Sequence, residues 1–166
     1  MEKLAYGPNY DPNLITLEMT PSERIEKLAK AKGCKPSDLM ICVLERPRHQ
    51  NLIQEIRETG ARLRLITDGD VSGALLVTDE KYKVDLFLGT GGGPEGVLAA
   101  SALDSFGCKF QGRFLFKTDD DIARAKSMGI KDLDKKYQLN EIVKGDSIFC
   151  ATGITSGDLI TVSYTH

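Results

Sequence analysis

The stretch VDLFLGTGGGPEGVLAA, residues 84–100, constrains the fold of this chain more than any other segment. Its apolar start, residues 84–88, predicts a buried strand. The glycines that follow allow a tight turn and let another molecule approach the backbone closely. Pro94 suits the first turn of a helix, because its missing N–H needs no partner there. The segment therefore predicts a strand, a glycine loop and a helix, an arrangement that cradles phosphate in many proteins.

Glu95 places a carboxylate in the first turn of this predicted helix. One interpretation is local, because the helix dipole favours an anion at that position. The other is chemical, because a carboxylate is a hard oxygen ligand for Mg²⁺ or Mn²⁺. A carboxylate inside a phosphate cradle suggests a metal between the two, and the residues alone leave both interpretations open.

The glycine loop also matches the dinucleotide-binding pattern GxGxxG at Gly91, Gly93 and Gly96, with Asp119 as a candidate ribose contact. However, Glu95 would repel a pyrophosphate, and the motif follows the fourth candidate strand instead of the first. A Rossmann-like nucleotide-binding domain is therefore the weaker alternative. The P-loop pattern fails because Val97 stands where that pattern requires lysine.

The remaining elements alternate along the chain at short spacing. A capping box at Thr20–Glu23 predicts a helix that ends at Gly33. Further helices are predicted over 47–59, 71–77 and 119–128, and strands over 39–44, 63–66, 109–116 and 147–151, with weaker strands at 14–18 and 137–144. Residues 1–13 are predicted to form a leading loop. This alternation indicates a single α/β domain over 1–166, in which helices cover both faces of a layered parallel or mixed sheet.

Composition excludes several classes of function. The net charge of −2 leaves no basic surplus for nucleic acid. No apolar run approaches the ~20 residues of a membrane span, and the N-terminus lacks the apolar core of a signal peptide, so a cytoplasmic protein without membrane partners is expected. Four cysteines lie scattered at 34, 42, 108 and 150 without a CxxC pair, which favours neither zinc nor redox chemistry. Cys42 and Cys150 are expected in the core.

Two further loops at predicted strand ends carry charged residues, and ligands of such sheets bind beyond the carboxyl ends of the strands. Arg46 and Arg48 suit bidentate recognition of phosphate, although two ordinary surface arginines are the alternative. Asp68 and Asp70 bracket Gly69 and could accept hydrogen bonds from sugar hydroxyls or hold a divalent cation. The alternative is helix capping by one aspartate and an ordinary turn by the other.

The sequence offers no catalytic triad. His49 is a lone histidine beside the arginines, and a structural or supporting role suits it better than that of a general base. Ser72, Ser101 and Thr152 have no histidine or acid at a recognisable spacing.

Together these motifs resemble one family, the class II (GlpX-type) fructose-1,6-bisphosphatases, including the dual fructose/sedoheptulose bisphosphatases. The resemblance covers nearly the whole chain, in family order, and rests on MEKL, ERPRH, DGD, GGGPEGV, CKFQGR, ARAKSMGI and SIFCATGITSGDL. It implies a sugar-phosphatase-like fold and a Mn²⁺- or Mg²⁺-dependent phosphatase that hydrolyses the C1 phosphate of a sugar bisphosphate.

The resemblance also assigns residues. It implies that Glu95 is a metal ligand and that the sugar bisphosphate or phosphate is bound by Arg46, Pro47, Arg48, Asp68, Gly69, Asp70 and Gly92. Arg46 replaces a lysine of some members, which keeps the charge but changes the geometry.

One departure is large. The family's preceding half carries the remaining metal ligands and the catalytic threonine, and those motifs have no counterpart here, so no catalytic residue is assigned. The chain is expected to correspond to the C-terminal half of the enzyme and to be nearly inactive by itself. The alternative is a non-catalytic sugar-phosphate-binding module. An apolar surface facing the absent half is expected to favour a homo-oligomer.

Overall fold

The computed structural model describes residues 1–153, 156–157 and 159, which form a six-stranded sheet with helices around it. The strands are β1 Glu2–Tyr6, β2 Met40–Leu44, β3 Arg62–Ile66, β4 Leu86–Thr90, β5 Lys109–Arg113 and β6 Lys136–Gln138. The helices are α1 Pro21–Lys32, α2 Gln50–Glu58, α3 Asp70–Leu75, α4 Gly93–Asp104, α5 Asp119–Ser127 and α6 Leu139–Ile142. Short 3₁₀ turns lie at Pro36–Asp38, Pro47–His49 and Glu80–Tyr82.

The sheet is mixed, with strand order β3-β2-β4-β1-β5-β6. β2 runs parallel to β3 and β4, whereas β1 runs antiparallel to both β4 and β5. β6 adds an antiparallel edge to β5. The predicted α/β fold with a mixed sheet is therefore confirmed. The carboxyl ends of β2, β3 and β4 lie along one edge, and β1 begins at that same edge.

Helices cover both faces of the sheet, as predicted. On one face α1 and α2 pack against alternate residues of the strands, in a core that includes Leu4, Tyr6, Ile25, Leu28, Ile41, Val43, Ile53, Ile56, Leu86 and Leu88. On the other face α3 and α4 complete a second core, which includes Ala5, Cys42, Ala74, Leu75, Phe87, Ala99, Ala100, Leu103 and Phe110. α4 lies close to the sheet through small residues, since three of its buried positions are alanines.

The prediction of a leading loop over 1–13 is wrong for its first half. Residues 2–6 form β1, which lies between β4 and β5 inside the sheet, and Leu4, Ala5 and Tyr6 are 0% exposed. The segment looked loop-like because polar residues and proline surround a short apolar run. Its partners come from distant parts of the chain, so no local pattern marked it as a strand.

Helix ends follow the sequence closely. Thr20 and Glu23 form the predicted capping box at the start of α1, and Gly33 ends the helix in the left-handed conformation with φ +71°. The helix predicted from residue 47 begins instead with a 3₁₀ turn, Pro47–His49, before α2. The strand predicted over 109–116 ends at Arg113.

Three predicted strands are corrected. Residues 14–18 form turns, although Ile15 and Leu17 are buried under α1. Residues 137–144 divide between β6 and α6. Residues 147–151 form no strand and pair with none of the six strands.

One of the two cysteines expected in the core, Cys150, lies within the run 147–151 that forms no strand. Cys42 is buried, as expected, on the central strand β2. Cys150 is exposed, so its predicted core position is wrong, and neighbouring Ile148 is 97% exposed. The run was predicted to be buried because it is apolar. Without strand pairing, only part of it packs against the core.

Across the described parts of the chain, no helix is both long and apolar enough to traverse a bilayer.

Tyr6 gives the fold a measurable dependence on alkaline pH. Its hydroxyl donates a 2.8 Å hydrogen bond to the Asp11 carbonyl, and burial raises the pKa of Tyr6 to about 12. The folded state therefore holds the neutral phenol at pH values where the unfolded state, with a pKa near 10, releases the proton. This contribution is fully present below pH ~10 and is lost between pH ~10 and ~12, by about 2–3 kcal/mol.

Tyr6→Phe is expected to cost about 1 kcal/mol of unfolding free energy at neutral pH, through the lost hydrogen bond. Between pH 10 and 12 its stability should then fall less steeply than that of the parental chain. Urea unfolding across this range measures both slopes. Burial also raises the pKa of Cys108, to about 11, so some alkaline loss should remain in the variant. Identical slopes in the two proteins would contradict the assignment to Tyr6.

Candidate sugar-phosphate site at the carboxyl edge of the parallel strands

Three predicted binding loops leave neighbouring strands at the same edge of the sheet. The loop after β2 carries Arg46 to Arg48, the loop after β3 carries Asp68 to Asp70, and the loop after β4 carries Gly91 and Gly92. Because the order is β3-β2-β4, the loop with the arginines lies between the other two. The topology therefore brings together segments that are separated in sequence.

Specific contacts tie the arginine loop to both neighbours. Nε of Arg48 donates a 2.7 Å hydrogen bond to the Thr90 carbonyl, at the end of β4. NH2 of Arg46 lies 3.6 Å from Oδ1 of Asp68, in the loop after β3. Pro47, which lies between the two arginines, begins the 3₁₀ turn Pro47–His49. Arg48 is exposed and Arg46 about one-third exposed, so both cations remain within reach of a ligand.

His49 connects the ends of β2 and β4. Register pairs between these strands stop at Ile41–Leu86 and Cys42–Phe87. Beyond them, Nδ1 of the buried imidazole lies 2.7 Å from the Leu44 carbonyl, and Nε2 accepts a 2.9 Å hydrogen bond from the Thr90 N–H. Nδ1 therefore carries the proton and donates to Leu44. This geometry matches the structural role that the sequence favoured for His49.

The two aspartates of the DGD loop have different environments. Asp68 is 93% exposed, and its Oδ1 accepts a 2.9 Å hydrogen bond from the Gly69 N–H. Gly69 precedes α3 with φ +88°, a conformation that favours glycine. No side-chain hydrogen bond caps this helix. The alternative in which one aspartate caps the helix is therefore wrong, because Gly69 occupies the cap position.

Asp70 is largely buried and forms an ion pair with Lys3 of β1. The Lys3 side chain is 1% exposed and that of Asp70 is 12% exposed. Oδ1 of Asp70 is buried and has no hydrogen-bond partner among the described residues. Sequence reasoning missed Lys3 because it assigned residue 3 to a loop, and the MEKL motif was its only signal.

Positions 91 and 92 each require glycine, because a neighbouring side chain lies too close to leave room for a Cβ. A Cβ on Gly91 would lie 2.6 Å from Oδ2 of Asp70 and 3.1 Å from Nζ of Lys3. A Cβ on Gly92 would overlap Oε2 of Glu95, whose carboxylate folds back over the Gly92 α-carbon. Gly92 is also the N-cap of α4 and supplies no side-chain cap, so the first-turn N–H groups face no capping side chain.

Glu95 is exposed, and its position fits one metal ligand but not a complete metal site. Within the described residues, no group of three or more histidine, cysteine, aspartate or glutamate side chains is arranged to hold a metal ion. Mn²⁺ and Mg²⁺ need several oxygen ligands. The described residues therefore supply at most a part of such a site.

Further charged residues surround a small cavity at the same edge, on the α1 and α2 side. Its volume is about 240 Å³, and it is lined in part by Glu2, Arg24, Arg48, His49 and Glu55. This is below the roughly 300–1,000 Å³ of pockets for drug-sized ligands, so it suits a small polar group. Glu2 pairs with Arg113 at 2.5 Å and with Arg24 at 3.6 Å. Burial lowers the pKa of Arg24, and Glu2 opposes that shift.

The nucleotide-binding alternative is not supported by the topology. The glycine loop follows β4, which pairs with antiparallel β1 on one side. A dinucleotide-binding half instead places this loop after a strand within parallel βαβ units. Asp119, its candidate ribose contact, is the first residue of α5, with Thr118 as the N-cap.

Comparison with known proteins points to the same family as the motifs. The profile of the family described as "Bacterial fructose-1,6-bisphosphatase, glpX-encoded" matches residues 1–166. Relatives from Prochlorococcus marinus (strain NATL1A) and Trichodesmium erythraeum (strain IMS101) are 37% and 36% identical over 95% and 96% of this chain. Both are named D-fructose 1,6-bisphosphatase class 2/sedoheptulose 1,7-bisphosphatase, as is a Synechococcus sp. (strain JA-3-3Ab) relative, 37% identical over 96% of the chain.

The chain spans about half the length of these relatives, 51% of the first and 50% of each of the others. The family profile nevertheless covers the whole of it. The three loops at one sheet edge also carry the motifs on which the resemblance was based. The chain belongs to the glpX-encoded bacterial fructose-1,6-bisphosphatase family.

Proposed function

We propose that this chain forms the sugar-phosphate-binding part of a class II fructose-1,6-bisphosphatase that also accepts sedoheptulose-1,7-bisphosphate. The complete enzyme would hydrolyse the C1 phosphate in gluconeogenesis or the reductive pentose phosphate cycle. The observation that carries the proposal is the convergence of the three loops, joined by the contacts of Arg48 with Thr90 and of Arg46 with Asp68. The names of the relatives support the choice of substrate.

The three loops would divide between the phosphate and the sugar of the ligand. The guanidinium groups of Arg46 and Arg48 suit a phosphate, because they present several donors with permanent charge. The N-terminus of α4, at Gly92, adds backbone N–H groups, and a cation bound at Glu95 would offset the negative charge of that carboxylate beside the phosphate. Asp68 and Asp70 would accept hydrogen bonds from sugar hydroxyls. Phosphate and sugar would then lie side by side across the ends of β2, β3 and β4.

For the metal, we propose that Glu95 supplies one carboxylate to Mn²⁺ or Mg²⁺. When bound, such an ion would activate water and offset charge on the phosphoryl group. The motifs for the remaining ligands and for the catalytic threonine have no counterpart in this sequence. We therefore propose binding without appreciable turnover for the chain by itself.

Titration calorimetry with fructose-6-phosphate and with inorganic phosphate tests the binding site. Arg48→Met should weaken binding by roughly 10- to 100-fold, because it removes a charge-assisted hydrogen bond of about 1.5–3 kcal/mol. Arg62→Met is the matched control, since Arg62 is an exposed arginine at the start of β3, at the opposite end of that strand from its loop. Equal affinity in the Arg48→Met variant would show that the arginine loop does not bind the phosphate.

The absence of turnover is tested separately, by measuring phosphate release from fructose-1,6-bisphosphate with Mn²⁺. A non-catalytic binding module is the second candidate function, and the lack of a complete metal site in the described residues favours it. Binding without phosphate release agrees with either candidate for the isolated chain. Clear turnover would contradict our proposal for the isolated chain and exclude the second candidate.

A further inference from the structure

Lys3 is a buried cation whose ammonium group lies beneath the candidate site. Its side chain is 1% exposed, although lysine is almost never fully buried unless it is paired. It projects from β1 toward α4, where a Cβ on Gly96 would lie 3.1 Å from Cε of Lys3. Nζ then reaches Oδ2 of Asp70, at the start of α3. One side chain thus joins the central strand to the loop that follows β3.

Only one of the two oxygens of the Asp70 carboxylate has a hydrogen-bond partner among the described residues. Oδ2 of Asp70 is bound by Lys3, whereas buried Oδ1 has no hydrogen-bond partner among the described residues. A buried acceptor without a partner costs free energy, so it marks a position where a donor is expected. Gly91 closes the space beside Oδ2, since even a Cβ there would lie 2.6 Å away.

The backbone around Gly91 is fixed as well. Gly91 N–H donates a 2.9 Å hydrogen bond to the Met1 carbonyl, which extends the pairing of β1 with β4 past Thr90. Lys3, Asp70 and Gly91 therefore form one rigid contact between the strand end, the glycine loop and α3. A buried ion pair is weak evidence for stability, because apolar replacements often serve as well. Its location under the three loops suggests a role in arranging them.

We propose that Lys3 is a positioning residue for Asp70. By binding Oδ2, it fixes the carboxylate in one orientation and leaves Oδ1 as the oxygen without a partner. Because Oδ1 is buried, a hydroxyl of a sugar phosphate reaches it only with a local movement of the DGD loop. The inference rests on the proposed function for its ligand, but the orientation of Asp70 can be measured without any ligand. Lys3 itself acts through Asp70 and need not touch the sugar.

The test compares Lys3→Met, Asp70→Asn and the double variant with the parental chain. NMR couplings report the side-chain rotamer of Asp70 in the absence of ligand. We expect one rotamer in the parental chain and averaging over several in Lys3→Met. Lys109→Met is the matched control, because Lys109 lies on neighbouring β5 at the opposite end of the sheet and should leave the rotamer unchanged.

Calorimetry with fructose-6-phosphate supplies the second readout. Lys3→Met should weaken binding roughly tenfold, the loss expected for one misplaced hydrogen bond. In the Asp70→Asn background, Lys3→Met should cause no further loss, because its effect passes through the Asp70 carboxylate. A purely structural role would leave the affinity of the folded variant unchanged.

Lys3→Leu replaces Lys3→Met where the latter fails to fold, and Lys3→Gln, which keeps a donor of similar reach, is the rescue variant. It should retain more of the single Asp70 rotamer than a variant without a donor. A single Asp70 rotamer in the folded Lys3 variants that lack a donor would overturn the proposal. If the parental chain binds no fructose-6-phosphate, the proposed function fails, and the rotamer measurement still decides the role of Lys3.

Discussion

Replacing Leu4 by proline is expected to leave the chain unfolded. Leu4 is the middle residue of β1, where it faces Leu88 of β4 and Gln111 of β5, and it is 0% exposed. Proline removes a backbone N–H from a strand that has neighbours on both sides, and its ring does not fit an interior ladder. The cost of about 3 kcal/mol or more, added to the lost leucine packing, is a large part of a typical stability of 5–15 kcal/mol.

Circular dichroism and amide NMR spectra measure this outcome directly. Leu4→Val is the matched control, because it keeps an apolar side chain that suits a strand and also keeps the backbone N–H. It should lower the free energy of unfolding by only about 1 kcal/mol and preserve the native spectrum. A Leu4→Pro variant that melts cooperatively near the parental temperature would contradict the central position of β1.

His49→Ala should cost about 2–6 kcal/mol of unfolding free energy. The imidazole satisfies the Leu44 carbonyl and the Thr90 N–H at the point where the pairing of β2 with β4 stops. Alanine leaves both groups without their partner, at about 1–3 kcal/mol each when buried, and adds a cavity. Urea unfolding measures the loss, and amide exchange at Thr90 reports whether the strand ends separate.

Two further variants divide the His49 contribution between its two hydrogen bonds. An asparagine amide can replace Nδ1 as donor to Leu44, and a glutamine oxygen can replace Nε2 as acceptor from Thr90. His49→Asn and His49→Gln should therefore each lie between the parental chain and His49→Ala in stability. If the His49→Ala variant is as stable as the parental chain, the imidazole does not hold the ends of β2 and β4 together.

Local sequence signals predicted much of the fold. The capping box at Thr20 and Glu23 and the glycine at the end of α1 were identified correctly. The order of strand, glycine loop and helix around Gly92 was also correct, although the strand is Leu86–Thr90 instead of 84–88 and includes Gly89. These features depend on interactions within a few residues, such as a side chain that reaches the N–H groups of its own helix turn. Such interactions are the same in any tertiary context.

The errors share a different physical cause. β1 was taken for a loop, and the apolar run around Ile148 was taken for a core strand. Whether a short segment becomes a strand depends on free backbone partners elsewhere, and a short apolar pattern does not report their presence. β4 and β5 supply such partners to residues 2–6, whereas residues 147–151 pair with no strand of the sheet.

For the site, the sequence by itself determined which residues have the right chemistry and which family the chain resembles. The glycines, the arginines at 46 and 48, the DGD loop and Glu95 could all be named from their motifs. Only the tertiary structure decided how they meet, because the order of β3, β2 and β4 sets which loops are neighbours. It also added Lys3, because a buried charge requires a partner and that partner, Asp70, lies in a distant part of the chain.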